Sequence, residues 1–113
     1  MNKTIAIPVN DQGILDAHFG HCKFFMHIHT RDNKIISVEK LTPPPHEPGV
    51  LPRWLAEQGT TDVIAGGMGQ RAIQIFNQHG VNVFVGAPQA TAEELAEGLM
   101  NETITFAANY CDH

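Results

Sequence analysis

Four prolines within six positions, Pro43, Pro44, Pro45 and Pro48, divide the chain into two stretches of different pattern. Proline lacks a backbone N–H and biases the residue before it away from the helical region, so residues 42–49 can be neither helix nor sheet ladder. Ahead of this break, apolar residues recur at every second position. Beyond it, short apolar runs alternate with stretches of helical spacing. A chain divided in this way builds a strand meander first and strand–helix units second.

In residues 4–9, Ile5, Ile7 and Val9 share one face of a first strand, and Pro8 is acceptable there only where ladder pairing ends. Residues 10–20, rich in Asp and Gly, read as a loop. In the next strand Phe24, Met26 and Ile28 face one way, and Phe25, His27 and His29 the other. Asp32-Asn33-Lys34 suits a tight turn because Asp and Asn tolerate left-handed backbone, and residues 35–41 return as a third strand. The spacing then predicts a helix over 50–58 with Pro52 in its first turn and Gly59 as its stop. A strand over 62–65, a turn at Gly66-Gly67-Met68-Gly69, a helix over 70–79 ended by Gly80 and a strand over 81–85 follow. Thr91-Ala92-Glu93-Glu94 has capping-box form, and Ala92, Leu95, Ala96 and Leu99 make the apolar stripe of a last helix. Residues 101–113 show little periodicity and read as a tail. The order βββαβαβα predicts an α/β domain with a five-stranded mixed sheet and flanking helices, the ribonuclease H-like arrangement. Residues 1–113 are read as one domain, a length that suits a single core.

Composition removes several function classes. The formal net charge is −5 and the seven Lys and Arg residues are scattered, which opposes nucleic-acid binding. No apolar run approaches the ~20 residues that span a bilayer, and no signal-peptide pattern precedes the first strand, so a cytoplasmic protein without membrane contact is expected. A reducing compartment makes the two cysteines free thiols. A two-metal nuclease needs carboxylates on its strands, and the first strand carries no acidic residue, so an enzyme is not expected.

The chemistry concentrates in His18-Phe19-Gly20-His21-Cys22. Imidazole and thiolate side chains suit zinc, copper or iron–sulfur chemistry, and Gly20 lets the backbone bend so that they converge. A metal set of His18, His21 and Cys22, completed by Cys111 and His113 from the tail, is one reading. In the other, Phe19 is a core plug, the histidines cap strand ends and the tail frays. His46 sits on the stiff Pro-rich loop, as a presented ligand or as an ordinary surface residue. Gly66, Gly67 and Gly69 permit close backbone approach, and the free N–H groups of the helix that follows favour an anion, with Arg71 nearby. The same glycines also serve as plain turn chemistry, and they match neither a dinucleotide fingerprint nor a P-loop. His27 and His29 are ~6.8 Å apart along one strand face, which could bridge a metal but reads better as a solvated face.

In order along the chain, Ile5-Ala6-Ile7-Pro8-Val9, His18-Phe19-Gly20 followed by Phe24-Phe25, His46 near Gly49, and Asp62-Val63-Ile64-Ala65-Gly66-Gly67-Met68-Gly69 resemble the nitrogenase iron–molybdenum cofactor biosynthesis family, the NifX-like domain. The likeness runs over roughly residues 3–108. It implies a ribonuclease H-like fold and a role in binding or carrying an iron–sulfur or iron–molybdenum cluster precursor. His18, Phe19, Gly20, His46, Gly66, Gly67 and Gly69 are then the cofactor-binding elements. The implied partners are proteins that donate or accept the cluster, with a homodimer as a further expectation. A single-metal zinc or copper module, or a protein-interaction module, is the alternative, with Cys22 as an additional soft ligand.

Overall fold

A computed structural model describes residues 2–16, 19–45, 47 and 49–111. Among the described residues six strands and three α-helices follow one another: β1 Asn2–Val9, β2 Phe24–Arg31, β3 Lys34–Leu41, α1 Val50–Glu57, β4 Asp62–Ile64, α2 Gln70–Gln78, β5 Asn82–Val85, α3 Ala92–Asn101 and β6 Ala108–Tyr110. They form one mixed sheet in the order β3-β2-β1-β4-β5-β6. β1, β4 and β5 run parallel, while β2, β3 and β6 are antiparallel to their neighbours.

The α/β mixed sheet agrees with the sequence reading, but it has six strands rather than five. The additional strand, β6, lies in the segment expected to be a tail. Its three residues Ala-Asn-Tyr carry no aliphatic repeat, and they pair with β5 along the sheet edge. Two further ties hold the segment. Asn77 Nδ2 donates to the Tyr110 carbonyl at 3.1 Å, and Ile104 lies directly on Gly98 of α3, where any larger residue would collide with it.

Helices cover both faces of the sheet, so each face has its own apolar cluster. Ala6, Phe25, Val63 and Val83 meet Leu51 and Leu55 of α1 and Ile73 and Phe76 of α2. Ile5, Ile7, Val9, Ile28 and Ile64 meet Ala92, Leu95 and Ala96 of α3. This double cover is why β1 is buried on both faces from Ile5 onward. Pro8 fits because β1 pairs with β4 only at Ile5 and Ala6, and the Pro8 carbonyl instead accepts the Asp16 N–H at 2.9 Å.

The local signals operate as their chemistry dictates. Asp32 and Asn33 both adopt positive φ, at 51° and 63°, and close the β2–β3 hairpin. The Thr91 hydroxyl accepts the Glu94 N–H at 3.2 Å, and the Glu94 carboxylate accepts the Thr91 N–H in return. Gly59 and Gly80 end α1 and α2 at positive φ. In β3 the pairing shifts register between His29 and Thr30, leaving Ile36 as an exposed bulge residue.

Candidate functional site at the carboxyl end of the sheet

The three parallel strands end together. The chain leaves β1 after Val9, β4 after Ile64 and β5 after Val85, and β2 begins at Phe24, directly opposite Val9. Residues 10–16, 19–23, 65–69 and 86–91 therefore gather at one end of the sheet, where β3 also finishes, at Leu41 opposite Phe25. Strand β1 has β2 on one side and β4 on the other. Such a switch point leaves a crevice that ligands of open α/β sheets occupy.

The loop after β1 is firmly stitched. Asn10 Oδ1 accepts the N–H groups of Gln12 at 2.9 Å and Ile14 at 3.2 Å, and the Leu15 N–H donates to the Ala90 carbonyl at 2.9 Å. A 3-10 turn at Phe19–His21 follows. Of the two readings of Phe19, a core plug and a cofactor-binding element implied by the family likeness, the first describes its ring, which lies in the core, 7% exposed. Its ring lies edge-on to Phe25 and to Phe76, each with centroids 5.6 Å away. An aromatic ring gains more from that apolar, quadrupole-matched nest than from solvent. Phe19 thus pins the loop to β2 and α2.

Cys22 is buried, and its thiol donates to the Phe19 carbonyl at 3.5 Å. Burial, reinforced by the Asp16 carboxylate and opposed by a backbone hydrogen bond, pushes the thiol up to about 12. The sulfur is therefore protonated at neutral pH, and a metal has to displace that proton before Cys22 can serve as a ligand. His18, His46 and His113 lie outside the described residues, as does the side chain of His21.

The glycine turn forms the neighbouring wall. Its Gly66 carbonyl accepts the Gly86 N–H at 2.9 Å, and the Ala65 carbonyl accepts the Ala87 N–H at 3.2 Å, so it is fixed to the β5–α3 connection. Met68 packs inward on the α1–α2 cluster, while Gly67 and Gly69 on either side of it are exposed. Neither glycine has a positive φ, and a Cβ added at either would meet nothing within 4 Å. The backbone itself does not demand glycine at these two places. Gly69 is the N-cap of the nine-residue helix α2 and supplies no side-chain cap, so the first N–H groups of α2 have no side-chain partner from it. Phe19 touches Phe76 of the same helix, which ties the two walls together.

Cys111 lies elsewhere. It follows Tyr110, which pairs with Val83 near the start of β5, so β6 carries the chain to the opposite end of the sheet from Cys22. β6 also lies four strand positions from β2, about 19 Å at ordinary inter-strand spacing. Within one chain the two cysteines do not come together.

The His27–His29 pair, which the sequence reads better as a solvated face, is joined in the structure by a third ligand-type residue, Glu39. His27 is buried rather than solvated, and His27, His29 and Glu39 each offer a donor atom within 4.8 Å of the others. The spacing of the two histidines was visible in the sequence, but the placing of Glu39 opposite His27 follows from the β3 bulge.

These features define a class: a small α/β domain whose parallel strands end in a pinned loop and an open glycine turn before a helix. The profile of the dinitrogenase iron–molybdenum cofactor family matches residues 1–102, and the chain belongs to that family. No curated protein matches it. Among solved structures it is similar to PH0822, at 26% identity and a TM-score of 0.84 with 95% of each chain covered. It is also similar to the apo form of the orange protein of Desulfovibrio gigas, at 19% identity and a TM-score of 0.79, covering 94% of this chain and 93% of that one. Protein mj0327 of Methanocaldococcus jannaschii is 12% identical with a TM-score of 0.75, covering 97% of this chain and 99% of that one. At such identities the last two establish a shared fold. No helix among the described residues is long and apolar enough to cross a membrane.

Proposed function

We propose that this chain is a non-enzymatic carrier for an iron–sulfur or iron–molybdenum cluster precursor in metallocofactor assembly, taking the cluster at the carboxyl end of its parallel strands. Family membership supplies the class of cargo. The observation that carries the reading is the pair Gly67 and Gly69, glycines that no φ value and no steric neighbour requires, set before the N-terminus of α2. Leaving their Cβ positions empty lets an anionic cluster approach backbone N–H groups that carry the positive end of the helix dipole. Arg71, exposed in the first turn of α2, adds a positive charge there. In this reading His18 is the main side-chain ligand, assisted by His21 and His46, and Phe19 and Gly20 shape the loop that presents it.

Cys22 joins the site only when a metal displaces its proton, and Cys111 contributes only across a homodimer. Few thiolates and several backbone donors make a hold loose enough for delivery to an acceptor protein. The strand order 3-2-1-4-5 within the sheet supports the ribonuclease H-like description, with β6 as an added edge. A cytoplasmic setting suits two free thiols.

The test is anaerobic loading, either with iron and sulfide or with a pre-made cluster, followed by charge-transfer absorption. The unmodified protein gains the absorption. His18→Ala loses it, and Gly67→Ala and Gly69→Ala weaken it while leaving thermal stability within about 1 kcal/mol of the parent, as expected where a new methyl meets nothing. Undiminished loading in all three variants would overturn the proposal.

A further inference from the structure

Toward the other end of β2, His27, His29 and Glu39 serve neither the core nor the loop site. We propose that these three residues bind one divalent transition-metal ion of the zinc class, at a site separate from the carboxyl-end loops.

The donors come from adjacent strands. His27 and His29 alternate onto the same face of β2, and Glu39 of β3 is the cross-strand partner of His27. Their three donor atoms all lie within 4.8 Å of one another, and His29 Nε2 is already 2.8 Å from Glu39 Oε1. Bonds of about 2.1 Å in a tetrahedral zinc site put ligand atoms about 3.4 Å apart. The widest gap therefore closes by at most about 1.4 Å, while the 2.8 Å His29–Glu39 hydrogen bond opens by about 0.6 Å as the ion takes its place. The partners free to move are the exposed ones: the His29 side chain is 30% exposed and that of Glu39 59%. His27, at 2% exposure, is the fixed point.

A threonine hydroxyl orients each imidazole. His27 Nε2 lies 2.8 Å from Thr60 Oγ1, and His29 Nδ1 lies 3.4 Å from Thr4 Oγ1. With Nε2 held by Thr60, the metal is assigned to the other ring nitrogen of His27. A ligand histidine held by an outer partner through its other nitrogen is the usual arrangement in metal sites. The two rings stand 5.1 Å apart at 71°, and so do not stack face to face across the space an ion would take. Burial, together with the neighbouring His29 and opposed by Glu39, lowers the pKa of His27, which favours the neutral imidazole with its lone pair available.

Two imidazoles and one carboxylate form the donor set of open zinc sites and also suit iron(II) and cobalt(II). Two imidazole lone pairs and one carboxylate bring a single negative charge to a bound ion, which favours a dication. Three protein ligands leave one or more positions for water or another small ligand.

The experiment is a titration of the full chain with cobalt(II), read by its visible d–d absorption, with zinc(II) as competitor and thermal unfolding in parallel. One cobalt binds per chain with a low-coordination spectrum, zinc displaces it, and zinc raises the unfolding temperature. His29→Ala and Glu39→Gln lower the affinity at least about tenfold, and both alter partly exposed side chains, so they fold. Thr60→Val weakens binding without removing a ligand. His18→Ala and Cys22→Ala bind cobalt as the parent does, while His29→Ala and Glu39→Gln still take up the iron–sulfur cargo. The proposal is overturned if no cobalt spectrum appears, if His29→Ala and Glu39→Gln bind like the parent, or if cobalt binding is lost in His18→Ala or Cys22→Ala. Loss of cluster loading with cobalt binding intact would remove the carrier reading and leave this site standing.

Discussion

Replacing Phe19 by Ala tests whether the loop that bears His18 is held by the core. The ring is 7% exposed and meets Phe25 and Phe76 edge-on, with centroids at 5.6 Å. Truncating a buried Phe costs about 3–5 kcal/mol. The two aromatic contacts contribute about 0.5–1.5 kcal/mol each beyond area, a part of that loss. Phe19 lies on a short 3-10 turn that can settle partly into the space, so the lower end applies, about 3 kcal/mol. For a chain of 113 residues, with unfolding entropy of about 2.1 cal/mol/K per residue, each kcal/mol moves the midpoint by about 4 °C. Phe19→Ala should therefore unfold about 12 °C below the parent by calorimetry or thermal circular dichroism. Phe19→Leu, which keeps most of the apolar volume, should lose less than half as much. A fall of under about 4 °C for Phe19→Ala would mean that the ring does not anchor the loop, and the account of how the loop is positioned would fail.

Two further outcomes follow from buried groups at opposite ends of the sheet. Cys22 has a thiol pKa raised from 9.0 to about 12 in the folded chain, so its contribution to stability is complete below pH 9 and is lost as pH rises toward 12; urea unfolding across that window should show the parent losing more stability than Cys22→Ala, and parallel curves would refute the assignment. Asp62, 1% exposed, accepts hydrogen bonds from Thr61 at 2.6 Å and Asn82 at 3.3 Å and pairs with Lys3 at 3.5 Å; Asp62→Ala should destabilise by about 2–3 kcal/mol, below the usual value for a broken buried pair because Lys3 can turn to water, and Asp62→Asn should lose less.

Much of the architecture could be read from local chemistry. The Asp32-Asn33 turn, the Thr91–Glu94 capping box and the glycine stops at Gly59 and Gly80 all act over a few residues, so the sequence alone carries them. What escaped depends on partners far along the chain. β6 has no pattern of its own and exists because β5 offers an open edge. His27 looks like half of a solvated pair until Thr60, thirty-three positions away, comes over it. The separation of Cys22 from Cys111 likewise follows from the direction of β6, which three residues without periodicity cannot announce.

The bulge at Ile36 shows how one local irregularity decides a whole site. A regular hairpin closed by Asp32-Asn33, with Arg31 opposite Lys34, would set Val38 opposite His27 and turn Glu39 to the other face. The extra residue moves every later partner by one, so Glu39 comes to share the face of both histidines and Val38 stands opposite Ile28 instead. Leu41 shifts with it and meets Phe25 on the α1–α2 side, where it packs on that cluster. Without the bulge Leu41 would leave that apolar face, so burial of Leu41 and assembly of the His27-His29-Glu39 set favour the same register. The His27-His29-Glu39 side chains thereby lie away from the loops at the carboxyl end of the parallel strands, so a ligand of one region need not compete with a ligand of the other.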